Sequence, residues 1–179
     1  MPPILEGKNV ILRPICAEDT ANIIQWRNAP HVRAMLYTQE ELTAEQHEKW
    51  LQTKVYSGQC VQFVIVARQE NVAIGTTFLK NIDVAAGRAE FGIFIGEPAY
   101  LGRGMGSEAT AMIVIHGFTG LALQEIYLSV LESNVAAVAT YKKLGFRETG
   151  REPKGYKRDG VYYPVLTMSM ASSGNKMNA

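Results

Sequence analysis

Cysteine is scarce: Cys16 and Cys60 are the only two in 179 residues. That excludes a disulfide framework and a cysteine-built zinc site, and no metal centre is expected. An excess of charge of one sign is missing too. With 18 basic and 17 acidic residues the formal net charge is +1, so nothing electrostatic favours nucleic acid or a membrane surface as partner. No run reaches the ~18 apolar residues of a membrane span. The opening Met-Pro-Pro-Ile-Leu-Glu-Gly-Lys lacks the apolar core of a secretion signal, and a cytoplasmic location is the expectation. Internal repeats, low-complexity stretches and linkers are absent. What is present is 47% hydrophobic residues, enough for a real core. A single domain over residues 1–170 is expected, with residues 171–179, small and polar, as a frayed tail.

Periodicity and punctuation give the order of elements. Val10 to Ile15 reads as a strand and Ala17 to Trp26 as a helix. Residues 28–42 read as irregular, with Pro30 breaking any helix. Thr43 and Gln46 form a capping box for a helix reaching about Tyr56. Residues 62–68 and 72–82 are apolar strands of a hairpin, and Arg88 to Ile95 continues the sheet. A helical stretch from Ala109 to Phe118, a strand from Glu125 to Glu132 and a helix from Val135 to Leu144 follow. Phe146 to Tyr156 and Val161 to Met170 then flank a turn at Lys157-Arg158-Asp159-Gly160. This mixture of strands and helices implies an α/β protein, a mixed sheet with helices on its faces.

The most informative segment is Glu97-Pro-Ala-Tyr-Leu-Gly-Arg-Gly-Met-Gly-Ser-Glu108, between a strand and a helix. Gly102, Gly104 and Gly106 alternate where the helix would start, and all three can take left-handed backbone angles and let a ligand approach closely. They lead into helix N–H groups at the positive end of a dipole, and Arg103 adds a full charge. This is a cradle for a diphosphate. A Walker A loop is excluded, because no Gly-Lys-Ser/Thr closes the motif. Gly104, Gly106 and Ala109 fit a dinucleotide fingerprint. However, four residues separate the strand-side Glu97 from Gly102, and the chain is short for two mononucleotide halves. A plain glycine-rich turn is the other alternative.

Downstream, Asn134 is a good N-cap, and Gly145 stops the helix that Asn134 starts. Asn134 and Tyr141 are seven residues apart, so they share a helix face at roughly 10 Å along the axis. The glycine loop, the run Asn134, Ala137, Tyr141, Lys143, Gly145-Phe146, and the closing stretch Asp159-Gly160-Val161-Tyr162-Tyr163 to Met168 together resemble the GCN5-related N-acetyltransferases. The likeness is to the branch of ribosomal-protein alanine and spermidine acetyltransferases, and runs from Leu12-Arg13-Pro14 to Met170. It implies a split, mostly antiparallel sheet flanked by helices, with acetyl-coenzyme A as cosubstrate entering where the 88–95 and 125–132 strands part. It also implies cofactor contacts from Ile93, Phe94, Ile95, Leu101, Gly102, Arg103, Gly104, Met105, Gly106, Ser107, Asn134 and Lys143. Leu101 departs from the family's usual Gln or Arg, which leaves only a backbone contact there.

Acetyl transfer from a thioester to an amine requires amine deprotonation, carbonyl polarisation, thiolate protonation and alignment. The resemblance puts Tyr141 near the sulfur, and a neutral phenol can donate its proton there. Carbonyl polarisation falls to backbone N–H groups near Phe94. Glu90, on the strand before the loop, is the candidate base; it could equally hold a cationic substrate or pair with Arg88. For the acceptor, Trp26-Arg27-Asn28 followed by Glu45, His47 and Trp50 looks similar to acetyltransferases of nucleotide-linked amino sugars. Trp26, Arg27, His47 and Trp50 are therefore candidate acceptor residues, or the tryptophans fill the gap between helices and sheet. The expected activity is N-acetylation of a primary amine on a small molecule, an amino sugar or a polyamine, by direct attack in a ternary complex. The alternatives are a protein N-terminal acetyltransferase and a catalytically silent acyl-coenzyme A-binding module. A homodimer is a possible assembly.

Overall fold

The computed structural model describes residues 2–172; the expected tail lies outside them, apart from residues 171 and 172. The chain is mixed α/β. Contacts group its residues into two compact units, interleaved in sequence. The first runs through Asn81 and takes in Phe91–Ile113; the second takes in Ile82–Glu90 and the described residues from Val114 onward.

The first unit carries strands β1 (Leu5–Glu6), β2 (Val10–Pro14), β3 (Cys60–Ala67) and most of β4 (Val72–Asp83), with the later part of β5 (Arg88–Ile95). The strand order is β1-β2-β3-β4-β5, and the β1–β2, β2–β3 and β3–β4 pairs are antiparallel. Seven of the eight β3 residues are buried, the signature of a strand covered on both faces. Helices α1 (Thr20–Asn28), α2 (Pro30–Arg33) and α3 (Ala44–Trp50) lie between β2 and β3. Ile15, Ile23, Trp26, Leu51, Val64 and Val66 form a buried cluster that joins this helical segment to β3, and Phe94 of β5 packs against it.

Two local rules decide these helices. The capping box is as read: Thr43 Oγ1 accepts from Gln46 N at 3.3 Å, and Gln46 Oε1 accepts from Thr43 N at 3.0 Å. Pro30, read as a breaker, instead occupies the first turn of α2, where its missing N–H is not needed. The third helix leaves α geometry through a π turn at Leu51–Val55, closed by Tyr56 N donating to Leu51 O at 2.8 Å.

Helix α4 (Met105–Gly120) begins four residues before the expected Ala109. Gly106 and Ser107 look unhelical by composition, but first-turn positions demand little propensity. Glu108 fixes this end of the helix by accepting from Asn9 N at 2.8 Å and Asn9 Nδ2 at 2.7 Å. Burial pushes the Glu108 carboxyl pKa up, but the hydrogen bonds from Asn9 outweigh it and the net direction is down.

With β6 over Glu125–Leu131, β7 over Arg147–Arg158 and β8 over Val161–Ala171, the second unit has the order β5-β6-β8-β7. β6 (Glu125–Leu131) pairs parallel with the start of β5, from Arg88↔Glu125 to Glu90↔Tyr127, and antiparallel with β8 (Val161–Ala171). Between β6 and β7 (Arg147–Arg158) stands α5 (Val135–Leu144), with the limits read from sequence. Gly145, at φ 105°, ends it in the left-handed conformation. The β7–β8 hairpin turns at Asp159 and Gly160, both with positive φ, as a two-residue primed turn requires.

Candidate active site

In the first unit, the segment after β5 holds the glycine cradle. A short 3-10 turn at Pro98–Tyr100 leads from β5 to the loop. Gly102 (φ 71°) and Gly104 (φ 78°) are both left-handed, and a Cβ on either would meet no atom within 4 Å. The protein itself therefore leaves the space in front of these two residues open, at the mouth of a 16-residue helix. Residues 102–104 are exposed, whereas Met105 is buried and anchors the helix start. Arg103 is held between Glu70, at 3.6 Å, and the ring of Tyr100, 4.9 Å from centroid to Cζ. Leu101 is half exposed. This geometry suits a diphosphate approached by backbone amides.

Upstream, Ile93, Phe94 and Ile95 are partly buried, and the end of β5 is tied to β4 through Gly96 N and Glu97 N, which donate to Ile74 O at 2.8 and 3.1 Å. The next contact reassigns Trp26. A side chain at Gly96 would collide with its indole, and its Nε1 donates to Glu97 Oε1 at 2.7 Å. At 2% exposure it braces the root of the loop and has no face left for a small acceptor. His47 is interior as well, also at 2%, with Nδ1 3.0 Å from Thr20 Oγ1. Burial pushes the His47 imidazole pKa down, against the smaller upward pull of Asp19. Neither residue is carried forward as an acceptor contact. A sequence window of helix residues reveals a helix face, but not the glycine 70 positions on that lets a tryptophan lie against the backbone.

Trp50 is partly buried, and its Nε1 donates to Gln62 Oε1 at 2.9 Å. Gln62 Nε2 passes the chain on to Thr76 Oγ1 at 3.0 Å, which donates to Phe63 O at 2.8 Å. Arg27 reaches across to the loop that follows α2, with Nη2 donating to Thr38 O at 3.1 Å. Asn28 clamps the same loop, donating to Leu42 O at 3.0 Å and accepting from Leu42 N at 2.8 Å. Sequence reasoning missed this tethering, because backbone carbonyls carry no residue-type signal.

In the second unit, Asn134 caps α5, its Oδ1 accepting from Ala137 N at 3.3 Å, and the amide nitrogen takes no part in that bond. Tyr141 is 9% exposed and packs against Phe146, with centroids 5.9 Å apart and planes at 60°. Lys143 is exposed. Glu90 is partly buried beside Tyr127 in the β5–β6 register, while Arg88 lies 3.9 Å from Glu125 and stacks 4.6 Å over Tyr127. Burial pushes the Cys16 thiol up to about 11 and the Cys60 thiol to about 12, so neither is a thiolate at neutral pH. Among the described residues no three His, Cys, Asp or Glu side chains converge to hold a metal, and no helix is long and apolar enough to cross a membrane.

The model of the acetyltransferase (GNAT) domain matches residues 9–147. The chain belongs to the GNAT family. Acetyl-coenzyme A is the family's cosubstrate, and the chain is an N-acetyltransferase. Spermidine N(1)-acetyltransferase of Escherichia coli K12 is 28% identical over 160 residues, covering 89% of this chain and 84% of that protein. The crystal structure of spermidine N-acetyltransferase from Vibrio cholerae, in complex with CoA and spermine, superposes with a TM-score of 0.85 at 25% identity. It covers 91% of this chain and 95% of that one. An uncharacterized protein of Methanocaldococcus jannaschii is 24% identical over 158 residues; this GNAT chain matches 88% of its own length there but spans only 31% of that protein's.

Proposed function

We propose that this GNAT chain transfers the acetyl group of acetyl-coenzyme A to a primary amine of a small molecule, an amino sugar or a polyamine, by direct attack. The observation that carries the proposal is the pair of left-handed glycines with open space before them at the mouth of α4. The open, partly positive loop is where the diphosphate of coenzyme A is held: Gly102, Gly104, Met105, Gly106 and Ser107 offer backbone, Arg103 offers charge, and Leu101 offers backbone only. Ile93, Phe94 and Ile95 supply backbone groups along the acyl arm, and Asn134 and Lys143 are further contacts. Acetyl-coenzyme A brings an activated thioester carbonyl, so the protein's own tasks are alignment and proton handling.

Tyr141 is assigned to protonate the departing thiolate, because a phenol still holds its proton at neutral pH. Glu90 is assigned to the amine side, either taking the proton, directly or through water, or anchoring the ammonium group. Direct attack is favoured over an acetyl-enzyme, because both thiols are held protonated and neither is a ready nucleophile. Arg27 and the ring of Trp50 remain as acceptor-side residues. The named substrates of the two spermidine acetyltransferases support the polyamine class. Self-association as a homodimer is part of the proposal, and light scattering at assay concentration reads it.

The test is thiol release from acetyl-coenzyme A with a panel of polyamines, amino sugars and short N-terminal peptides. Amine-dependent release with small molecules is expected. Release with the peptides alone would transfer the chain to the protein N-terminal class. Tight acetyl-coenzyme A binding without release by any amine would make it a silent binding module.

A further inference from the structure

In the first unit two side-chain nitrogens from neighbouring positions, Arg27 Nη1 and His31 Nε2, are hidden from solvent without a hydrogen-bond partner. They come from the last turn of α1 and the first turn of α2, four residues apart, joined through the extended Ala29. A guanidinium is always charged, and a hidden donor left unpaired is costly. Yet among the described residues no carboxylate pairs with Arg27; its one polar partner is the Thr38 carbonyl. The next charge along is a second cation, Arg33, whose Nη2 donates to Gln39 O and whose Nη1 lies 3.5 Å from Glu41, a mostly exposed carboxylate. Burial and the nearby Arg33 both work against charge on Arg27. Arg27 is thus a cation whose second terminal nitrogen none of these contacts satisfies.

We propose that Arg27, with His31, receives an anionic group of the acceptor molecule, so that the amine acetylated here also carries a phosphate or a carboxylate. This rests on the acetyl-transfer reading above and narrows it. A bare polyamine would bring more positive charge to a guanidinium that no carboxylate among the described residues pairs. An anion at Arg27 Nη1 satisfies that orphan donor and neutralises the guanidinium in one step, and His31 Nε2 can donate to it in the tautomer that carries the proton there. The loop over residues 34–43, which Arg27 and Arg33 hold through backbone carbonyls, has to yield for the anion to enter.

Two matched pairs of amines test the inference: glucosamine against glucosamine 6-phosphate, and putrescine against ornithine, its carboxylate-bearing counterpart. In one pair the anionic member should have a kcat/KM about 10- to 100-fold above its partner, the effect of one charge-assisted hydrogen bond. The pair that responds tells phosphate from carboxylate. Arg27→Gln should erase that preference while leaving the KM for acetyl-coenzyme A within about twofold. Because Arg27→Gln also loses the Thr38 contact, His31→Gln serves as a second variant, and it should reduce the same preference. Inorganic phosphate should raise the Tm of the wild-type chain and not of Arg27→Gln. Better turnover of the bare amine in both pairs, or a preference untouched by both variants, overturns the inference while acetyl transfer stands. Phosphate stabilisation lost with Arg27, in a chain that acetylates none of the amines, would keep the anion site and refute the acetyl-transfer reading instead.

Discussion

Replacing glycines one at a time separates cofactor binding from folding, because the structure puts them in different surroundings. At Gly104 an added Cβ meets nothing within 4 Å, so it brings no clash to relieve. What Gly104→Val does impose is a left-handed φ of 78° on a branched residue. That strain is about 1–2 kcal/mol, a minor share of the 5–15 kcal/mol that holds a typical domain. For a chain of this size it corresponds to a fall in Tm of about 2–8 °C. The branched carbon would occupy the space that a diphosphate needs. Losing two charge-assisted contacts to backbone amides, at roughly 1.5–3 kcal/mol each, weakens coenzyme A binding by about 10²-fold or more. Gly96→Ala is the opposite case: its methyl group collides with the Trp26 indole, and it should lower Tm strongly. Calorimetric titration with coenzyme A, alongside thermal melts followed by circular dichroism, measures both quantities for both variants. An unchanged Kd in a folded Gly104→Val protein would refute the placement of the cofactor.

Three further outcomes follow from the same geometry. Tyr141→Phe should retain acetyl-coenzyme A affinity and lose about 10²-fold in kcat; near-wild-type turnover would reduce the residue to its packing against Phe146. Trp50→Ala should raise the KM for the amine and leave that for acetyl-coenzyme A unchanged, whereas equal changes in both would assign Trp50 to its hydrogen-bond chain through Gln62. Asp19 is a pH-sensitive element of the fold, as Glu108 is. Burial pushes its carboxyl pKa up, but hydrogen bonds from Arg13 and Cys16 outweigh that and hold it below the ordinary value. The unfolded chain therefore binds more protons in the acid range, so this contribution is present above the ordinary carboxyl pKa and lost as pH falls through the lowered one. Asp19→Asn should flatten the acid limb of Tm against pH, and an unchanged acid limb would refute the assignment.

The legible parts of the sequence were those with local causes. β5 and α5 carry their own limits: alternation in one, and an Asn cap with a Gly stop in the other. The Thr43–Gln46 box and the Asp159-Gly160 turn are likewise complete within a few residues. The unread parts depend on distant partners or on ambiguous residues. Proline 30 reads equally as a stop and as a first-turn residue, and only the following chain decides. The early start of α4 is fixed by Asn9, 99 residues away. The two-residue β1 exists through its pairing with Leu12 and Ile11, not through any pattern of its own. In the loop, the left-handed conformation of Gly102 and Gly104 was legible because it is a property of their type, whereas Gly106, open to the same reading, lies in the first turn of α4. Trp26 and His47 were not legible, since burial is decided by what lies opposite.

The brace at the root of the loop has a spectroscopic consequence. The chain contains two tryptophans, and each indole N–H in the structure donates to a side-chain oxygen, Trp26 to Glu97 and Trp50 to Gln62. An amide-region NMR spectrum should therefore show two well-resolved indole resonances, each a built-in probe of one hydrogen bond. Glu97 immediately precedes the turn that opens the glycine cradle. The Trp26 signal is thus placed to report on the cradle from its dry side, with no label attached. Titrating coenzyme A while watching those two peaks would show whether the loop receives its ligand as a rigid mould or readjusts from its root.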